Sequence, residues 1–292
     1  MSDLPETETI AQAHADLDLL SSDALVERLI ASQRDVADAV LAQREAVTDV
    51  VDAVVARLRG GGRLHYVGAG TSGRLAMLDA AEMPPTFGTE PDLVDAHVAG
   101  GATALVRAVE GAEDDAAAGE LAVRDVTDAD AVIGISASGG AAYVVAAIAA
   151  ARKRGAFTAA IVNSEASPLG AAAERAIVVR TGPEPIAGST RMRAGTAQKI
   201  LLNTISSAAM VLLGRVYENL MVDVTATNKK LQARAQRLVE RVAAVDAVEA
   251  QRLLESAGGS VKVAIVMARH NCSASEARSL LERHHGLLRD TL

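Results

Sequence analysis

The sequence predicts an α/β fold: a doubly wound parallel sheet flanked by helices, with a small all-helical C-terminal domain. Three observations predict it. From residue 63 to about 180, short apolar runs alternate with helical patterns, the rhythm of a parallel sheet covered on both sides. The runs are continuous and rich in Val and Ala, as strands buried on both faces are. From Lys229 onward only helical spacing remains. The expected division is an N-terminal helical segment at 1–53, a sheet domain at 54–217 and a helical domain at 229–292.

Residues 1–21 are polar and poorly patterned. Over 25–58 the apolar positions (Leu25, Leu29, Val36, Val40, Val47, Val50, Val51, Val54, Val55, Leu58) recur at helical spacing. Ser22 is a candidate N-cap, and Gly60-Gly61-Gly62 a terminator. One long helix, or two with a break at 31–35, fits this pattern. Such a helix either packs across a partner subunit or covers its own sheet. Strands are expected at 64–67, 93–98, 131–135, 158–162 and 177–179. Helices are expected between them at 74–82, 103–113, 141–153 and 168–175. A long helix is expected over 192–213, ended by Gly214, then an irregular connection at 222–228. Four helices follow, at 229–243, 246–256, 260–269 and 274–289. Asp246 and Ser273 each precede a Glu by three residues, Glu249 and Glu276, the spacing of a capping box.

Composition narrows the function. The 292 residues carry a net charge of −8 and only two Phe, three Tyr and no Trp. Nucleic acid is not an expected partner, since phosphates need a Lys/Arg surface and bases need stacking platforms. No apolar run approaches a membrane span, and no membrane partner is expected. The polar, acidic start, Met1 to Glu8, is not a secretory pattern. One cysteine, Cys272, excludes an internal disulfide and a zinc–thiolate cluster. No histidine has metal-ligand spacing with another His or Glu, and His65 in a strand reads as a core or interface residue. These features predict a cytoplasmic protein.

The chemistry-bearing stretches lie at or soon after strand ends, where ligands of such sheets bind. Gly68-Ala69-Gly70-Thr71-Ser72-Gly73 runs from a strand into a helix. Its glycines let backbone approach an anion, the first helical turn offers free N–H groups, and Thr71 and Ser72 add hydroxyls. Ser136-Ala137-Ser138-Gly139-Gly140 repeats this arrangement after another strand. Two such loops favour a phosphate monoester over a dinucleotide, and no Walker pattern is present. Glu82 precedes Pro84-Pro85, which are expected to stop its helix. A carboxylate at a helix C-terminus faces the negative end of the dipole, which hinders ionisation and suits an acid. An exposed Glu at a frayed end is the other reading. Glu110, Glu113 and Asp114 share a helical face: a solvated patch, or half of an acid/base pair if the fold supplies the other half. In the 188–199 stretch Ser189, Thr190, Arg191, Arg193 and Lys199 crowd a helix start. Cations there oppose the dipole, so an anionic ligand or an acidic neighbour is expected beside them.

The stretches 68–75 (GAGTSGRL), 78–88 (LDAAEMPPTFG), 108–114 (AVEGAED), 188–199 (GSTRMRAGTAQK) and 219–224 (NLMVDV) closely resemble the N-acetylmuramic acid 6-phosphate etherase family. The resemblance covers roughly 20–292. It implies a sugar isomerase (SIS) domain, a homodimer, and no metal or organic cofactor. It implies a phosphorylated amino sugar substrate, whose D-lactyl ether is cleaved with water to N-acetylglucosamine 6-phosphate and D-lactate. Glu82 then matches the family's proton donor and Glu113 its second catalytic Glu. Ser72, Ser136 and Ser138 match phosphate-holding hydroxyls, and Gly70, Thr71, Ser189 and Arg191 complete the expected substrate contacts. The sequence departs from the family at Gly139-Gly140-Ala141-Ala142, where an Arg and a Thr are usual. It departs also after Thr7-Glu8, where no Asn follows. The competing readings are a non-catalytic sugar-phosphate sensor and an aldose–ketose phosphosugar isomerase.

Overall fold

Five runs of Val, Ala and Ile form one parallel sheet in this computed structural model, which describes residues 5–223 and 229–292. The chain divides into two units, Met1–Ala81 with Asp92–Ser206, and Glu82–Pro91 with Ser207–Leu292.

In the first unit the strands are β1 (Leu64–Gly68), β2 (Val94–Val98), β3 (Ala131–Ser136), β4 (Phe157–Val162) and β5 (Arg175–Val178), in the order β2-β1-β3-β4-β5. Every residue of β1, β3 and β4 is buried, which is why those strands read as apolar runs. Helices α1 (Ser22–Ala31), α2 (Val36–Leu41) and α3 (Arg44–Arg59) lead into the sheet. The chain thus breaks at 32–35, as expected, and again at 42–43. Ser21, not Ser22, caps α1. α3 buries Val47, Val50, Val51, Val54, Val55 and Leu58 and packs on β1, β3, β4 and β5, so this helix covers its own sheet. α1 buries nothing, and Val26 and Ile30 stand exposed.

Helix α4 (Gly70–Phe87) follows β1 and corrects one expectation. Pro84 and Pro85 lie inside it, and the N–H of Gly88 still donates to Pro84 O at 2.9 Å. Each proline removes one donor but leaves its own carbonyl to accept. Glu82 is therefore not at a helix end. The expected helix 103–113 is also corrected. Only α5 (Thr103–Val106) forms, Arg107 is extended, Gly111 takes φ +72°, and Ala112–Asp114 makes a single 3-10 turn. Glu110, Glu113 and Asp114 share no helical face. Helices α6 (Ala116–Ala122), α7 (Ala142–Lys153) and α8 (Pro168–Ala172) cover the other side, with α7 on β1, β3 and β4.

Asp79 of α4 is the buried polar node of this unit. Its carboxylate accepts from Tyr66 Oη (3.1 Å), Asn203 Nδ2 (2.6 Å) and Ser206 Oγ (3.1 Å). Burial pushes its carboxyl above the usual range, opposed by those three bonds. It thereby ties β1 and α4 to α9 (Arg193–Leu212).

The second unit holds a short hairpin, β6 (Val216–Tyr217) with β7 (Leu220–Met221). The connection expected at 222–228 lies, from residue 224, outside the described residues. Then come α10 (Lys229–Ala243), α11 (Ala247–Ser256), α12 (Val261–His270), α13 (Ala274–Arg283) and α14 (Leu288–Thr291). The expected helix 274–289 is split by Gly286 at φ +75°. Ser273 and Glu276 form the full capping box, whereas Asp246 caps alone and Glu249 pairs with Arg252 instead. α12 buries every residue from Val261 to Met267 and centres the core with Val239, Leu253 and Leu281 around it. Its buried Lys262 bonds Asp223 at 2.6 Å, and Arg215 reaches the same carboxylate at 3.4 Å. Among the described residues no helix is long and apolar enough to cross a membrane.

Truncating Asp79 takes the acceptor from Tyr66 Oη and Asn203 Nδ2, while Ser206 Oγ keeps the Asn203 carbonyl at 3.4 Å. Asp79→Ala is expected to lower the unfolding free energy by about 3 kcal/mol, and Asp79→Asn by less, since a carbonyl remains. Urea unfolding of both variants checks this.

Candidate active site at the switch point of the sheet

The strand order reverses its winding between β1 and β3. The crevice beyond their carboxyl ends is the place where open α/β sheets bind ligands. The two hydroxyl-bearing glycine loops leave the sheet on either side of it.

After β1 the chain turns so tightly that a Cβ on Gly73 would lie 2.7 Å from Gly68 O, and one on Gly68 2.6 Å from Gly73 N. Glycine at both positions permits this approach and starts α4 at Gly70 (φ +55°). The first-turn N–H groups of Thr71 and Ser72 have no intrahelical acceptor and point out of the helix end. Thr71 is half-buried, with its methyl group near Gly195. Ser72 is buried and its hydroxyl donates to Gln198 Oε1 at 2.8 Å. Gln198 Nε2 donates on to Asn163 Oδ1 (3.0 Å), and Asn163 Nδ2 to Val179 O (3.0 Å). The Ser72 proton is thus engaged inside the protein, and what this residue offers an anion is its backbone N–H.

After β3 the hydroxyls behave differently. Ser136 Oγ accepts from Gly139 N–H (3.1 Å), and Ser138 Oγ from Gly140 N–H (3.3 Å). Both keep their own protons to donate. Ser138 lines a cavity of about 640 Å³ together with Ser164, Ser167, Arg180, Glu6 and Thr9. Ser164 Oγ is buried there without a hydrogen-bond partner among the described residues. Arg180 brings a guanidinium to the same cavity, held by Glu6 (3.1 Å) and Glu165 (3.4 Å). Sequence reasoning passed over Ser164 and Arg180; both follow or end strands, and that position was the available signal.

Glu113 is exposed on its 3-10 turn. A separate cavity of about 150 Å³ is lined by Gly70, Arg74, Glu110 and Glu113, so the fold brings this carboxylate to the glycine turn. Ser138 lines the other cavity. Glu82 is an exposed residue of α4, and the helix end expected to hold its proton is not there.

The 188–199 stretch resolves its own electrostatic problem. Buried Glu184 accepts from the backbone N–H groups of Arg193 (2.8 Å) and Ala194 (2.9 Å), capping α9. Arg193 itself donates to Thr181 O (2.6 Å), Ser32 O and Asp35 Oδ2 (2.9 Å), and its guanidinium lowers the Asp35 carboxyl. The acidic neighbour is therefore Glu184. Arg191 is exposed with no side-chain partner among the described residues, and Ser189 is half-buried beside it. Glu8 carries its carboxylate to Gly188, where a Cβ would stand 3.0 Å away.

This sheet with its two loops is an SIS domain. Residues 106–207 match the family model described as SIS domain, and residues 46–152 match the glucokinase regulatory protein N-terminal SIS domain. Two solved structures share the fold: a phosphosugar isomerase assigned to capsule formation in Bacteroides fragilis and phosphoheptose isomerase from Neisseria gonorrhoeae. They are 18% and 19% identical, with TM-scores of 0.51 and 0.50. They cover 67% and 64% of this chain and 94% and 98% of their own. Sequence relatives are nearer. N-acetylmuramic acid 6-phosphate etherase of Deinococcus radiodurans is 48% identical, covering 100% of this chain and 96% of its own. That of Geobacillus thermodenitrificans is 51% identical over 87% of each. The chain belongs to the N-acetylmuramic acid 6-phosphate etherase family.

Glu184→Ala should uncap α9 and cost about 1–2 kcal/mol of stability. The check is chemical denaturation against wild type, with Glu165→Ala as an exposed control expected to change little.

Proposed function

We propose that this chain is a lyase that cleaves the D-lactyl ether of N-acetylmuramic acid 6-phosphate with water, giving N-acetylglucosamine 6-phosphate and D-lactate. The observation that carries the reading is the near-full-length likeness to proteins named for that reaction. The phosphate is held by the N–H groups at the start of α4 and by the hydroxyls of Ser136 and Ser138, with Gly70, Thr71, Ser189 and Arg191 as further contacts. In the open-chain sugar the C1 aldehyde acidifies the C2 proton. Glu113 removes that proton, and Glu82 protonates the lactyl oxygen as the C3–O bond breaks. Water then adds at C3 of the unsaturated aldehyde. General acid–base catalysis of this kind contributes about 100- to 10,000-fold per group. In this reading residues 54–217 bind the sugar phosphate, while 229–292 support a cytoplasmic homodimer.

The match of 46–152 to the glucokinase regulatory protein domain favours a second reading, a sugar-phosphate sensor without turnover. The two separate in one assay: D-lactate release from N-acetylmuramic acid 6-phosphate in deuterated water. Lactate together with deuterium at C2 of the product is expected. Binding with neither signal would make the sensor the correct reading.

Glu82→Ala is expected to lower lactate release by about 100- to 10,000-fold while phosphosugar binding persists. Turnover close to wild type would remove Glu82 from its role. Ser138→Ala should raise KM about tenfold with kcat little changed, because it loses one hydrogen bond to a charged group. Steady-state kinetics reads both.

A further inference from the structure

The pairing of β1 with β2 makes a cluster of metal-ligand type. The register sets His65 opposite Asp95 and Val67 opposite His97. Residues two apart share a face of a sheet, so His65, Asp95 and His97 project to one side at the β2 edge. His65 Nδ1 lies 3.2 Å from His97 Nε2, and His97 Nε2 lies 3.8 Å from Asp95 Oδ2. All three atoms fall within 4.8 Å of one another. Tetrahedral zinc with bonds of 2.0–2.1 Å needs its donors about 3.3 Å apart. The two histidine nitrogens already meet that spacing.

We propose that His65 Nδ1, His97 Nε2 and Asp95 Oδ2 form a binding site for a divalent transition-metal ion of zinc type. The donor set of two imidazoles and one carboxylate suits zinc and does not suit magnesium or calcium, which take oxygen ligands. Asp95 Oδ1 accepts from the N–H of Ala96 at 2.7 Å, which orients the carboxylate and leaves Oδ2 free. His65 is buried, His97 partly so, and Asp95 is half exposed, so the open side admits a water as fourth ligand. Closing the Asp95 edge needs only rotation of that exposed side chain. Binding requires both facing nitrogens bare, which places the hydrogens of the two neutral rings on His65 Nε2 and His97 Nδ1. His65 Nε2 is buried without a partner among the described residues. A metal-bound histidine normally donates its second N–H, so the affinity is expected in the micromolar range rather than tighter. The ion would pin the edge strand β2 to β1, away from the groups given roles in turnover.

The full chain, stripped with a chelator and dialysed, is titrated with zinc chloride by calorimetry. One site per chain is expected, and zinc at a hundredfold excess over its dissociation constant should raise the melting temperature by about 5 °C. His97→Gln and Asp95→Asn change exposed or partly exposed side chains, which keeps folding out of the comparison. Each should weaken zinc binding at least tenfold and abolish the thermal shift. A His284→Gln/His285→Gln double variant should bind as wild type does. Cobalt substitution should give the intense visible absorption of four-coordinate Co²⁺. An unchanged titration in His97→Gln, loss of the site in the 284/285 variant, or no stoichiometric binding by wild type would each overturn the proposal.

Discussion

The carboxyl rim of the sheet depends on one chain of buried hydrogen bonds: Ser72 to Gln198, Gln198 to Asn163, Asn163 to the carbonyl of Val179. It spans the start of α4, the first turns of α9, the loop after β4 and the exit from β5. Buried polar groups of this kind are costly unless every member is paired. Here each amide uses its donor and acceptor, so the four segments have one mutual arrangement. The switch-point crevice is framed by segments so fixed. The Ser72 hydroxyl is part of that frame, which is why the neighbouring N–H groups, and not the side chain, face outward with free protons.

A second constraint acts at the same rim. The start of α9 brings Arg193 to a helix end that repels cations. Glu184 neutralises that end, while Arg193 turns away to hold Ser32 and Asp35 of the leading segment. The arrangement leaves Arg191 exposed, with no side-chain partner among the described residues. An anionic substrate is therefore not needed to stabilise the fold here, and a free guanidinium remains available to one.

Much of this was legible in the sequence, and the failures have physical reasons. The five strands were readable because burial on both faces made them Val- and Ala-rich. The C-terminal helices were readable because Asp246 and Ser273 cap them. Pro84 and Pro85 misled because a proline ends a helix only when its missing N–H and the ring clash are not accommodated; at the end of α4 they are, and Gly88 closes the last turn on Pro84. The helix over 103–113 failed at two points where apolar spacing suggested otherwise: Arg107 is extended, and Gly111 takes φ +72°. The loops were legible as motifs, but the fate of the Ser72 hydroxyl was not, because it depends on Gln198, 126 residues away, whereas Ser136 and Ser138 bond within their own loop. The His65–His97 pair was invisible for the same reason: strand register, not spacing, makes it.

The loop at 139–142 bears on how a phosphate is held without the arginine usual there. Gly140 and Ala141 offer no side-chain donor, so the cationic contribution must come from elsewhere or be absent. Arg180 lines the cavity beside Ser138, but two carboxylates already hold it, Glu6 and Glu165. A guanidinium has five N–H donors, and three are used in those pairs. It can add a bond to an anion, though its charge is largely offset by its partners. Apart from Arg191, what remains is neutral donation: the helix-start N–H groups after β1, and the hydroxyls of Ser136, Ser138 and Ser164, the last without a partner among the described residues, after β3 and β4. Such donors are directional and weaker than a free guanidinium, so they select the shape of a tetrahedral anion more than they attract its charge. In the proposed function, a chain of net charge −8 would bind a dianion chiefly through geometry at the rim of the sheet, which is what the buried chain from Ser72 to Val179 fixes.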